Sequence, residues 1–82
     1  MYYVTMTDKF MSGWGQAKNK TNKLVIACST YERAEKCYQK AKNRNEMIYV
    51  NICSKKPNYG QHHYVSWHGD NQIPPDYQSW ME

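Results

Sequence analysis

With 82 residues, a mass of 9.8 kDa and a formal charge of +4, the chain has material for one domain around one thin core. Leu, Ile, Val and Phe supply only ten positions, a level typical of disorder, but eight Tyr and three Trp restore the buried area, since each ring can cover about 150–250 Å². The longest apolar run, Leu24 to Cys28, is far short of the ~20 residues a membrane helix needs, and no basic-apolar leader is visible, so neither a span nor a secretory signal is expected.

In chain order the pattern predicts strand, long loop, strand, helix, strand, turn, strand. Residues 2–7 alternate, with Tyr2, Val4 and Met6 on one face and Tyr3, Thr5 and Thr7 on the other, the signature of a half-buried strand. Residues 23–28 form a second strand whose Leu24, Ile26 and Cys28 share a face. Ser29-Thr30-Tyr31-Glu32 fits a capping box opening a helix. The helix carries Tyr31, Ala34, Cys37, Tyr38 and Ala41 as its packing stripe and ends near Asn43 to Asn45. Residues 47–53 form the third strand, with Ile48, Val50 and Ile52 inward and Tyr49 and Asn51 outward. Residues 63–68 form a weaker fourth, with Val65 and Trp67 toward the core. The simplest arrangement of these elements is an α+β two-layer sandwich: a ββαββ chain with an antiparallel four-stranded sheet in order 2-1-3-4 and one helix on one face. Residues 1–82 read as a single domain, in which 69–82 form a less regular acidic tail.

Charge is divided along the chain. All eleven Lys and Arg fall within residues 1–56, which carry a net +7, whereas residues 57–82 hold three acids and no base. Arg33, Lys36, Lys40 and Arg44 recur at helical spacing, a basic stripe beside the packing side. Such a body expects an acidic partner, phosphate or carboxylate.

No catalytic constellation emerges. Cys28, Cys37 and Cys53 are odd in number and lack the spacing of a zinc site or a disulfide framework, so they read as reduced thiols filling apolar space in a cytosolic protein. His62 and His68 stand roughly 20 Å apart on an extended strand, too far to share an ion. Phosphate loops and dinucleotide fingerprints are also missing. The expectation is therefore no enzyme, no metal and no cofactor.

The connection from Asp8 to Asn22 is long for so small a domain. Its first half sets Lys9, Phe10, Met11 and Trp14 among turn-forming residues, and its second half is basic, with Lys18, Lys20 and Lys23. Two readings stay open. Phe10 and Trp14 either tuck beneath the sheet as a satellite core or stand out as an aromatic anchor with a basic rim.

The string Tyr2-Tyr3-Val4-Thr5-Met6-Thr7-Asp8-Lys9-Phe10-Met11-Ser12-Gly13-Trp14-Gly15, followed by Asn22-Lys23-Leu24-Val25, resembles the opening of small proteins from phages and other mobile elements. The likeness continues through the helix to residues 47–52 and then fades, apart from Ser79-Trp80. The group has no assigned catalytic role, so no site residue carries over. The resemblance implies a phage or mobile-element protein working in the cytoplasm of a bacterial host. By analogy of class, it implies an anti-defence inhibitor of the anti-CRISPR type, a nucleic-acid mimic or competitor. On this reading the partner is a host defence protein or ribonucleoprotein complex, met by a monomer or weak dimer through Lys9, Phe10, Trp14, Lys18, Lys20, Lys23, Arg33, Lys36, Lys40 and Arg44. The alternative is a small DNA- or RNA-binding accessory protein that contacts phosphates through the helix stripe and lysine loop and bases through exposed rings.

Overall fold

A computed structural model describes residues 1–69, Gln16 by its backbone alone, so the expected acidic tail lies almost wholly outside the described residues. The strands are β1 (Tyr2–Asp8), β2 (Thr21–Cys28), β3 (Met47–Cys53) and β4 (His63–His68), with one helix, α1 (Tyr31–Lys42), between β2 and β3. A single 3₁₀ turn, Gly15–Ala17, interrupts the β1–β2 connection. The α+β class and the single helix agree with the sequence pattern, and the strand boundaries agree within two residues.

The sheet order does not. It is β3-β1-β2-β4, and the sheet is mixed. β1 lies antiparallel to both β2 and β3, as expected, but β4 runs parallel to β2 at the far edge rather than antiparallel to β3. The reason is the length of the connection. Tight hairpins close in two to five residues, whereas residues 54–62 can reach about 30 Å when extended, ample for the roughly 14 Å from one edge of four strands to the other. The two crossovers traverse opposite faces in opposite directions, so they share one hand, consistent with the strong preference for right-handed connections between parallel strands.

The helix-side core follows the alternation of β1 and β2. Val4, Met6, Leu24, Ile26 and Cys28 meet Ala34, Cys37 and Ala41 of α1, and Met47 closes the far end. Two fully buried alanines bring the helix close to the sheet, and each large buried side chain contributes about 1.5–3 kcal/mol of transfer free energy. The helix starts one residue later than the capping-box pattern predicts. Thr30, not Ser29, is the N-cap, and its side chain accepts from the Arg33 amide at 3.2 Å. Glu32 is then too early in the first turn to close the box. Tyr31 stays half-exposed and meets Tyr2 edge to face at 5.4 Å.

Two further expectations are corrected. β3 does not alternate throughout, because Thr5 pairs with Asn51 and Thr7 with Ile48, which leaves one extra residue on β3. Tyr49 absorbs it at φ 55°, a left-handed conformation costing on the order of 1–3 kcal/mol for a bulky residue, and Asn51 Nδ2 donates to the Tyr49 carbonyl at 3.1 Å. The bulge turns Ile48 outward with Thr7 and brings Met47 into the core beside Val50 and Ile52. On β4, Val65 and Trp67 pair with Lys23 and Val25, so they lie on the face away from the helix. This edge strand lies beyond the helix, which packs on β1, β2 and β3, and among the described residues that face carries no helical roof.

Candidate partner-binding surfaces

The β1–β2 connection forms a knuckle held by its own backbone. Asp8, buried at the end of β1, accepts from the Met11 amide through Oδ1 at 3.1 Å, and its carbonyl accepts from the Ser12 amide and hydroxyl at 3.1 and 2.8 Å. Ser12 Oγ in turn accepts from the Asn22 amide at 3.0 Å and so ties the start of the loop to its end. The Gly13 amide donates to the carbonyls of Ala17 and Lys20 from φ 86°, a conformation glycine enters without steric cost. Between the two strands, Ala17 is the only buried residue among those whose side chains are described. Phe10 is 75% exposed and Trp14 71%, so neither ring tucks beneath the sheet as a satellite core; both stand outside, and Lys9, Lys18 and Lys20 of the same connection are exposed as well. Behind Trp14 a shallow hollow of about 190 Å³ is lined by Met11, Ala17, Asn22 and Tyr64, and the buried Asn22 Oδ1 has no hydrogen-bond partner there.

The helix stripe is less uniform than its spacing implies. Arg33, Lys36 and Arg44 are exposed and Lys40 is half-buried, but Glu32 and Glu35 share the outer surface of the helix. Arg44 is engaged with Glu46, Nη2 to Oε1 at 2.8 Å. The Glu46 carboxyl lies below its ordinary pKa because its own backbone amide and the Arg44 side chain hydrogen-bond it.

Lys23 is not part of the loop rim. It sits within β2, on the sheet face opposite the helix, where its Nζ donates to Thr7 Oγ1 at 2.6 Å. The ring of Tyr49 lies 5.5 Å from this ammonium and that of Tyr59 5.7 Å. Partial burial draws its pKa below the usual lysine value. Tyr59 arrives from the β3–β4 crossover, is pushed up in pKa by burial, is hydrogen-bonded by Thr5, and meets His63 edge to face at 5.5 Å. Thr5, polar yet 6% exposed, thus fastens the crossover to the sheet, while Thr7, 3% exposed, holds the Lys23 ammonium beside the Tyr59 ring. Farther along the same face Lys56 Nζ lies 5.1 Å from the Trp67 ring. The ten sequence-selected residues therefore divide three ways: Lys9, Phe10, Trp14, Lys18 and Lys20 on the knuckle, Arg33, Lys36, Lys40 and Arg44 on the helix, and Lys23 alone on the outer sheet face. Tyr49, Lys56, Tyr59 and Trp67 were not selected. The outward phase of Tyr49 and the Lys55-Lys56 pair were visible signals, but the crossover that unites them was not.

Cys28 and Cys37 are buried and Cys53 half-buried, all as free thiols. Among the described residues no helix is long and apolar enough to cross a membrane. Compared with known proteins, the chain matches no family model, no curated protein and no solved structure.

Proposed function

We propose that this chain is a non-enzymatic binding module that docks on a host defence assembly of the CRISPR–Cas type and blocks its nucleic-acid targeting. The knuckle is the anchor, and Lys9, Lys18 and Lys20 form its rim. One observation carries the reading: two large rings, 75% and 71% exposed, ride on a loop whose backbone is hydrogen-bonded from end to end. Exposed rings on a preorganised backbone lose little conformational freedom on docking and are the residue type that dominates interface energetics. The lysines around them favour acidic surface and speed the encounter. The resemblance of residues 2–15 to phage proteins supports the genetic setting of this reading, with the bacterial cytoplasm as its site of action.

The test is phage plating on a panel of bacterial hosts, each carrying one active CRISPR–Cas type directed at the phage. Expression of the chain restores plaques on at least one host, and a Phe10→Ser, Trp14→Ser double variant of unchanged melting temperature does not. Plaque counts that stay suppressed on every host of the panel overturn the reading.

A further inference from the structure

The face of the sheet away from the helix has a composition unlike the rest of the molecule. The strand pairings place Tyr3, Thr5 and Thr7 of β1, Thr21, Lys23, Val25 and Ala27 of β2, and His63, Val65 and Trp67 of β4 on it. Ile48, Asn51 and Cys53 of β3 join them. Residues 54–62, which cross this face, add Lys55, Lys56 and Tyr59. Among the described residues not one carboxylate belongs to this set. Asp8 is buried on the helix side, Glu32 and Glu35 lie on α1, and Glu46 precedes β3 beside Arg44.

On this acid-free face each exposed ring has a lysine beside it. Tyr49, 72% exposed, adjoins Lys23, whose ammonium is held in place by Thr7 and by a second ring, Tyr59. Trp67, 46% exposed, adjoins Lys56. The two rings belong to opposite edge strands, β3 and β4, whose backbones lie roughly 14 Å apart at the usual strand spacing. We infer that this face binds single-stranded nucleic acid, with bases stacking on Tyr49 and Trp67 and the intervening phosphates meeting Lys23, Lys55 and Lys56.

Charge and shape together select this occupant. A face bearing cations and, among the described residues, no carboxylates is complementary to a polyanion, and rings next to Lys23 and Lys56 suit a polymer in which a flat apolar base alternates with a charge. Duplex hides the flat faces of its bases and is read by elements that enter a groove, whereas the rings here belong to a sheet surface. An acidic peptide would satisfy the lysines without using the rings. The inference stands apart from the docking role of the knuckle, whose residues lie elsewhere.

Fluorescence anisotropy tests it with four labelled probes: an oligothymidylate and an oligouridylate of about 15 nucleotides, a mixed-sequence duplex of the same length, and poly-glutamate. At low salt both single strands bind, more tightly than the duplex and poly-glutamate. Affinity falls as salt rises from about 50 to 200 mM, and Lys56→Gln lowers the logarithmic salt slope by roughly 0.7. Tyr49→Asn decides the matter, because asparagine accepts the left-handed backbone at this position while removing the ring. It weakens single-strand binding about 5- to 150-fold, whereas Tyr49→Phe retains it. The Phe10→Ser, Trp14→Ser variant also binds the single strands as the wild type does. Absence of single-strand binding at low salt, duplex or poly-glutamate bound as tightly, or a Tyr49→Asn variant of unchanged affinity each overturns the inference.

Discussion

The knuckle and the outer sheet face both present aromatic rings and lysines, yet they are built in opposite ways. On the knuckle, backbone hydrogen bonds and the Asp8 and Ser12 side chains do the holding and the rings point away: among the described residues neither Phe10 nor Trp14 has a cation over its ring. On the sheet face, side chains hold one another, with Lys23 fixed by Thr7 and flanked by Tyr49 and Tyr59. The first arrangement presents apolar area on a stiff support and leaves charge at the periphery, as a protein interface requires. The second interleaves charge with apolar area at the spacing of one side chain. Composition alone would class the two regions together, and placement separates them.

Variants that disturb one region and spare the other sharpen this contrast. The largest effect is expected from Phe10→Ser and Trp14→Ser. Hot-spot rings carry about 2–4 kcal/mol of binding, so docking falls by more than an order of magnitude, while exposed positions cost the fold about 0.5 kcal/mol or less. Partner retention and melting temperature read the two quantities. Ser12→Ala leaves the rings in place and removes their support. The Asn22 amide, in a residue only 7% exposed, loses its acceptor, which costs about 1–3 kcal/mol in urea denaturation, and docking weakens although no contact residue has changed. On the sheet face Lys23→Met tests whether the caged ammonium titrates. Its folded pKa is depressed below 10.5, so just under that value the unfolded chain binds more protons than the folded one. Wild-type stability therefore rises relative to Lys23→Met as pH approaches 10.5, and denaturation curves taken in alkaline buffers measure the slope. The smallest effect belongs to a pair outside both regions. Glu46→Gln costs about 0.5 kcal/mol or less at neutral pH, as exposed pairs do. Because the Glu46 pKa is depressed in the fold, the stabilisation is present above pH 4.5 and fades as pH falls through the folded value.

Local rules made most of the fold legible. Alternation located β1 and β2 and their shared core face, and the three- and four-residue spacing of Ala34, Cys37 and Ala41 identified the buried side of α1. What alternation cannot register is an inserted residue, so the bulge at Tyr49 inverted the assignment of Ile48. The position of β4 was illegible for a different reason. Whether residues 54–62 fold back or cross over depends on contacts such as Tyr59 with Thr5, between residues far apart in the chain. The knuckle residues are legible as one group because they are contiguous in the chain. The outer face draws on all four strands and the crossover, and of it the sequence pattern points only to Lys23, as part of the basic loop.

Among the described residues β4 has one strand neighbour, only the 3₁₀ turn of the β1–β2 connection against it, and a connection fastened to the sheet by a few side chains. The helix-side core is complete without it, since the residues that form it end at Ile52. Regions of this kind exchange their amide hydrogens through local opening, well before the whole molecule unfolds. The amides of β4 should thus exchange faster than those of β1, which is paired on both sides. A ligand that bridges Tyr49 on one edge to Trp67 on the other would close this opening, so occupancy of the outer face would be recorded as slowed exchange in a strand most of whose residues the ligand never touches.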